Sequence, residues 1–167
     1  MVNYQYEIVQ IPAYRGIGLK WDGPYTEISD LKKMINEMSS RVNELEQSIH
    51  PEIHLGLSYH LRNDGFIHYS VFEVSAEQQI PEGMVEIHVP EMTYLKTHHK
   101  KGEDIGYTYH NIYQWLKEND IQLYKDANQK YYDALPIKHE KYPIDHDKNN
   151  PHFDILIPIV KKKQEKD

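Results

Sequence analysis

The chain has 167 residues, 39% of them hydrophobic and 27% charged, with a formal net charge of −7. That length and composition fit one globular domain, and the acidic balance argues against a phosphate-backbone binder, which needs a basic stripe. Cysteine is absent, which excludes disulfides, thiolate metal sites and cysteine nucleophiles.

The N-terminal stretch Met-Val-Asn-Tyr-Gln-Tyr-Glu has no basic or apolar signal segment, and no apolar run approaches a membrane span. A cytoplasmic protein with no membrane partner is therefore expected. Lys161-Lys162-Lys163 reads as part of a solvated, charged tail over 161–167. Fourteen tyrosines stand against three phenylalanines, a bias that suits partly wet pockets and interfaces as well as the amphipathic positions of a small sheet.

In chain order, Tyr6 to Pro12 alternates with period two and predicts a first strand, and Arg15 to Trp21 a second, with Ile17, Leu19 and Trp21 on one face. Gly16 and Gly18 fall on its other face, where glycine marks a bulge or a close approach. After the turn Asp22-Gly23-Pro24, Ile28, Leu31, Ile35, Met38, Val42, Leu45 and Ile49 recur at spacings of three and four. They predict one helix from about Thr26 to Ser48. Ile53, Leu55, Leu57 and Tyr59 alternate with His54, Gly56, Ser58 and His60 in a third strand. The turn Asn63-Asp64-Gly65 leads into a fourth, Phe66 to Val74.

The order then restarts. Val85 to Val89 ends in Pro90 as Val9 and Ile11 end in Pro12, a strand follows from Met92 to about His99, and Ile105, Tyr109, Ile112 and Leu116 share a helix face. The offset between the halves is about 78 residues, so pseudo-repeats are expected over about 1–80 and 81–160 of a single domain. Beyond the second helix, Ile121 to Tyr124 is a short strand, Gln129 to Leu135 an extended or helical stretch, Pro136 to Pro151 a polar loop, and Phe153 to Val160 the last strand.

These elements carry a resemblance. Tyr6-Glu-Ile-Val-Gln-Ile-Pro12 with Gly16-Ile-Gly-Leu19, Pro81-Glu-Gly-Met84 running into Val89-Pro90, and Thr93-Tyr94 with Gly102 are similar to the GyrI-like effector-binding domain. So are Tyr107-Thr-Tyr-His-Asn-Ile-Tyr-Gln-Trp-Leu116 and Ile157-Pro-Ile159. The family is found alone and as the ligand-binding half of bacterial multidrug-responsive regulators. The resemblance implies an α+β fold: two strand-helix-strand-strand modules forming a concave antiparallel sheet, with two long helices on one face. It implies a cleft for a small lipophilic or aromatic compound, often cationic, facing a buried glutamate. Some members hydrolyse strained cyclopropane-containing compounds, and one inhibits DNA gyrase. This chain is expected to be a stand-alone member that acts as a sensor or sequestering protein. The alternatives are a hydrolase of strained electrophiles and a protein-interaction module, such as a gyrase modulator or the partner of a separate regulatory protein. No cofactor and no direct nucleic-acid partner are expected.

The family's glutamate lies in a Phe-Glu-x-Tyr-like motif after the second helix, and the expected counterpart is Asn128-Gln129-Lys130-Tyr131, which puts glutamine in its place. Glu73, in the apolar run Tyr69-Ser-Val-Phe-Glu-Val74, is then the carboxylate that could replace it. Trp21, Tyr59, Tyr69, Tyr94 and Tyr109 complete the expected ligand-binding set with Glu73 and Gln129, as aromatic walls or as ordinary core. The 11 histidines match no metal-binding spacing, and P-loops, dinucleotide fingerprints and serine elbows are absent.

Overall fold

A computed structural model describes residues 5–160, so the Lys161–Lys163 run lies outside the described residues. The elements are β1 (Glu7–Ile11), β2 (Tyr14–Pro24), α1 (Ile28–Ser40), β3 (Ile53–Tyr59), β4 (Gly65–Val74), β5 (Val85–Val89), β6 (Met92–His99), α2 (Ile105–Glu118), β7 (Ile137–Pro143) and β8 (Phe153–Ile159). The order strand-strand-helix-strand-strand thus occurs twice. The strands form one antiparallel sheet in the order β1-β6-β8-β7-β3-β4-β2-β5.

Two short connectors shape this sheet. β1 and β2 are six strand spacings apart in the order, as are β6 and β5, which would be about 29 Å across a flat sheet. Pro12-Ala13 and Pro90-Glu91 each span only three Cα steps, about 11 Å at most. The sheet must therefore curl until its edges approach each other. Gln10 Nε2 donates to Glu91 Oε1 at 2.6 Å, tying the end of β1 to the second connector. The inside of the curl carries no helix, yet Leu55, Leu57, Val71 and Val89 are buried there as one cluster, with Tyr14, Tyr59 and Tyr69 packed against it.

The outside of the curl carries both helices. Met38 of α1 packs with Ile17, Leu19 and Phe72 of β2 and β4. Ile112 and Leu116 of α2 pack with Leu95, Ile155 and Ile157 of β6 and β8. Asp104 caps α2, its Oδ1 accepting from Tyr107 N at 2.8 Å. The two central strands, β3 and β7, lie in the valley between the helices.

Three expectations need correcting. The first helix stops at Ser40, eight residues early, because the backbone of Gln47 to Ile49 pairs elsewhere: Ser75 N donates to Gln47 O, and Ile49 N donates to Glu73 O at 2.9 Å. Val42 and Leu45 still face the core from a 3-10 turn, which preserves the apolar spacing without the α-helix. Between α2 and β7, Leu123 makes a single bridge to Ile159 and 129–135 forms neither strand nor helix. The expected loop Pro136–Pro151 begins with strand β7, and only 144–152 is loop.

Candidate functional site

Because successive strand residues face opposite sides, the register assigns each polar residue of the central strands to one face. On the outer side, β3 presents His54, Gly56 and Ser58, with His60 just beyond its end, and β7 presents Lys138, Glu140 and Tyr142. Across the pair, Gly56 meets Glu140, His54 meets Tyr142 and Ser58 meets Lys138. On the other flank Gly56 meets Ser70, and Ser58 meets His68. Between the helices the apolar rule is thus replaced by a polar floor.

Above that floor lies a cleft of about 500 Å³. Ile28, Leu31 and Ile35 of α1 form one wall, and His146, Lys148 and Pro151 of the β7–β8 loop form the other. Lys148 Nζ donates to Asn36 Oδ1 at 2.6 Å, joining the loop to α1 across the mouth. Gly56 leaves room at the floor for two rings. A Cβ there would sit 3.1 Å from His68 Cε1 and 3.6 Å from Tyr142 Cε2, so the rings of His68 and Tyr142 occupy the room a side chain would take.

Glu140 is half-buried, packed about by protein yet reached from the cleft. Tyr142 Oη donates to its Oε1 at 2.8 Å, and Tyr109 Oη, from α2, donates to its Oε2. Burial pushes the carboxyl pKa above its ordinary value, opposed by the two tyrosine hydrogen bonds and by the charge on Lys138. Burial likewise pushes both tyrosine hydroxyls up, with the carboxylate adding to the effect. Lys138 itself turns elsewhere. Its Nζ lies 5.1 Å from the centre of the Tyr109 ring, 3.2 Å from His60 Nε2 and 3.5 Å from Asp133 Oδ1. Among the described residues no lysine or arginine forms an ion pair with Glu140.

Of the expected ligand-binding residues, Tyr109 is the one whose side chain touches this carboxylate. Trp21 is on the outer face and does not line the cleft itself, but it packs edge-on against Phe66, which does, with centroids 5.2 Å apart. Tyr59, Tyr69, Tyr94 and Glu73 all point inside the curl, on the opposite side of the sheet from Glu140. There Tyr59 Oη and Tyr94 Oη hydrogen-bond the two ring nitrogens of buried His139 at 3.0 and 3.4 Å. Tyr69 packs edge-on against Tyr59. Glu73 pairs with Gly16 and borders a cavity of about 30 Å³ and an open depression of about 550 Å³ beside Tyr14 and Ile49.

Gln129 is exposed in a turn, its N–H donating to Asp126 O, and lies outside the cleft. The Glu-x-Tyr spacing on a strand after the second helix is carried by Glu140-Lys141-Tyr142, with His139 in the aromatic position before it. Glu140, Tyr142, His54 and His68 escaped the sequence reading, although the alternation His54, Gly56, Ser58, His60 was a visible signal for a polar face.

Among the described residues no group of histidines and carboxylates is arranged to hold a metal ion. No described helix is long and apolar enough to cross a membrane.

Comparison with solved structures gives the same architecture. The C-terminal domain of EcmrR matches with a TM-score of 0.66 and 16% identity, over 96% of this chain and all of that one. SAV2435, solved bound to tetraphenylphosphonium, matches with a TM-score of 0.63 and 13% identity, over 93% of this chain and 94% of that one. A putative bacterial transcription regulation protein from Staphylococcus aureus MU50 matches with a TM-score of 0.61 and 13% identity, over 95% of this chain and all of that one. No curated protein matches by sequence. The family model of the GyrI-like small molecule binding domain matches residues 4–160, and the chain belongs to that family.

Proposed function

We propose that this protein binds a small aromatic or lipophilic cation in the cleft between α1 and the β7–β8 loop, with Glu140 as counter-charge. The observation that carries this is the carboxylate itself. It is raised by burial, held by two tyrosine hydroxyls, left without an ion-pair partner among the described residues, and reached from a cleft with an apolar wall on α1. An ionised group in such a place is costly until an opposite charge arrives. A cation whose apolar body packs on Ile28, Leu31 and Ile35 supplies that charge. The tetraphenylphosphonium held by SAV2435 has this chemistry. Binding without turnover fits a sensor or sequestering role.

The test is calorimetric titration with tetraphenylphosphonium and with a neutral aromatic of similar size. Glu140→Gln should weaken the cation by about tenfold to hundredfold, the loss of a charge-assisted contact of about 1.5–3 kcal/mol, and leave the neutral compound nearly unchanged. Equal cation affinity in Glu140→Gln and wild type would remove the carboxylate from the role.

A hydrolase of strained electrophiles is a second reading, favoured by one observation: a carboxyl held above its ordinary pKa is a better proton donor near neutrality. Turnover of a cyclopropane-containing substrate that disappears in Glu140→Gln would establish it.

A further inference from the structure

We propose that the cleft selects cations that carry N–H groups over permanently alkylated ones, because His54 and His68 each present an unpaired imidazole nitrogen to the ligand beside Glu140. The inference rests on the cation-binding reading above and names the kind of cation.

Both rings are buried and both line the cleft. Each is anchored by one nitrogen to a serine on the neighbouring strand. His54 Nε2 is 2.5 Å from Ser70 Oγ, and His68 Nδ1 is 2.8 Å from Ser58 Oγ. Stacking on Phe72, with centroids 4.6 Å apart, fixes the His54 ring further. The second nitrogen of each ring, His54 Nδ1 and His68 Nε2, has no hydrogen-bond partner among the described residues. Neither is sealed in the interior: the buried side-chain atoms without a partner are Glu103 Oε2 and Asn111 Nδ2. Both rings line the cleft, so each of these two nitrogens keeps some surface at its edge.

Their placement follows from the register. His54 lies opposite Tyr142, and His68 leans over Gly56, whose partner on the other flank is Glu140. A ligand charge seated at the carboxylate therefore has both rings on the β3–β4 flank of the cleft. Burial keeps both rings neutral, His54 at about 4 and His68 at about 3, so neither repels a cation with a charge of its own. A neutral imidazole has one donor and one acceptor nitrogen, and a serine hydroxyl can satisfy either. When the ligand brings N–H groups, the serines accept and the second nitrogens become acceptors. A quaternary ammonium or phosphonium has no N–H to give, so seating it strips water from both nitrogens and returns nothing. Sites built to hydrogen-bond a polar hydrogen discriminate strongly against analogues that lack it, for this reason.

The experiment uses three probes with one charge and one ring system: 2-naphthylmethylammonium, its N,N-dimethyl derivative and its N,N,N-trimethyl derivative, titrated at about pH 7.5. Wild type should bind the primary ammonium at least about tenfold tighter than the trimethyl compound, with the dimethyl compound between them. His54→Phe and His68→Phe should each narrow that ratio, chiefly by weakening the primary ammonium. Glu140→Gln should weaken all three. A wild-type ratio within about twofold, which no variant's folding can obscure, overturns the proposal while leaving cation binding intact. An unchanged ratio in both folded histidine variants also overturns it, by assigning the preference to size. If none of the three cations binds wild type, it is the cation-binding reading that fails.

Discussion

Acidification should unfold this protein well above the range in which its paired carboxylates titrate. Burial lowers His54 to about 4 and both His68 and His139 to about 3, from 6.5 for a free side chain. His60 is lowered by burial as well, with Lys138 adding to the effect. Since the folded values are depressed, the unfolded chain takes up these protons first. The stabilisation is complete above about pH 6.5 and is lost as the pH falls toward the folded values. At about pH 5 an unfolded histidine lies about 1.5 units below its pKa, and a folded one is still neutral, so each of His54, His68 and His139 costs about 2 kcal/mol. Together they remove about 6 kcal/mol, comparable to the whole stability of a domain, about 5–15 kcal/mol. Glu44, Asp64 and Glu86, held low by their arginine partners, add their losses only further down. Urea midpoints followed by far-UV circular dichroism at about pH 7.5, 6 and 5 measure the effect, and His68→Phe should flatten the dependence by close to one proton. A stability change below about 1 kcal/mol between pH 7.5 and 5 would refute neutral burial of these rings.

Three further outcomes are expected. Tyr109→Phe or Tyr142→Phe removes a hydroxyl that donates to Glu140 and so raises its pKa further. Because a proton competes with the cation for this carboxyl, the pH midpoint of cation binding should move upward, and titrations across pH would show it. Gly18→Ala places a Cβ 1.9 Å from Ser70 O, a backbone atom that cannot swing aside. The β2–β4 pair must then separate, at about 3 kcal/mol or more, and a melting temperature near wild type would contradict the close approach. Asp104→Ala deletes the N-cap of α2 and should cost about 1 kcal/mol, a fall of about 2–4 °C in the melting temperature, with ligand affinity little changed.

Most of the fold was legible because strands and helices bury their faces with different periods. Ile17 and Leu19, Leu55 and Leu57, and Ile112 and Leu116 fall where their alternation or helical spacing puts them. What that spacing could not show is which strand face meets a helix. The apolar face of β3 suggests a helix above it, but the two-residue connectors curl the sheet so that this face is filled by strands from the far edge. Hence Tyr59, Tyr69, Glu73 and Tyr94, all sharing faces with apolar neighbours, lie on the side of the sheet opposite Glu140. β7 was illegible for a related reason. Ile137-Lys-His-Glu-Lys-Tyr-Pro143 has no apolar alternation, since one face floors the cleft and the other carries His139 and Lys141.

The cleft's location follows from the same geometry. Each helix covers the outer strands of its own half of the sheet, and β3 and β7 pair where the halves join. Outward residues of these central strands are shielded laterally by both helices, yet neither helix plugs the space above them. Elsewhere on the sheet an outward polar residue is sealed against its neighbours, as buried His99 is by its hydrogen bond to Thr108 of α2, and no ligand can reach it. The valley lets a carboxylate be desolvated enough to be raised and still be reached by a ligand. Tyr109 from α2 and Tyr142 from β7 fix it from two elements, and α1 with the β7–β8 loop supplies the walls. A substitution that shifts either helix therefore changes the field at Glu140 as well as the width of the cleft, so affinity and the pH dependence of binding should move together in such variants.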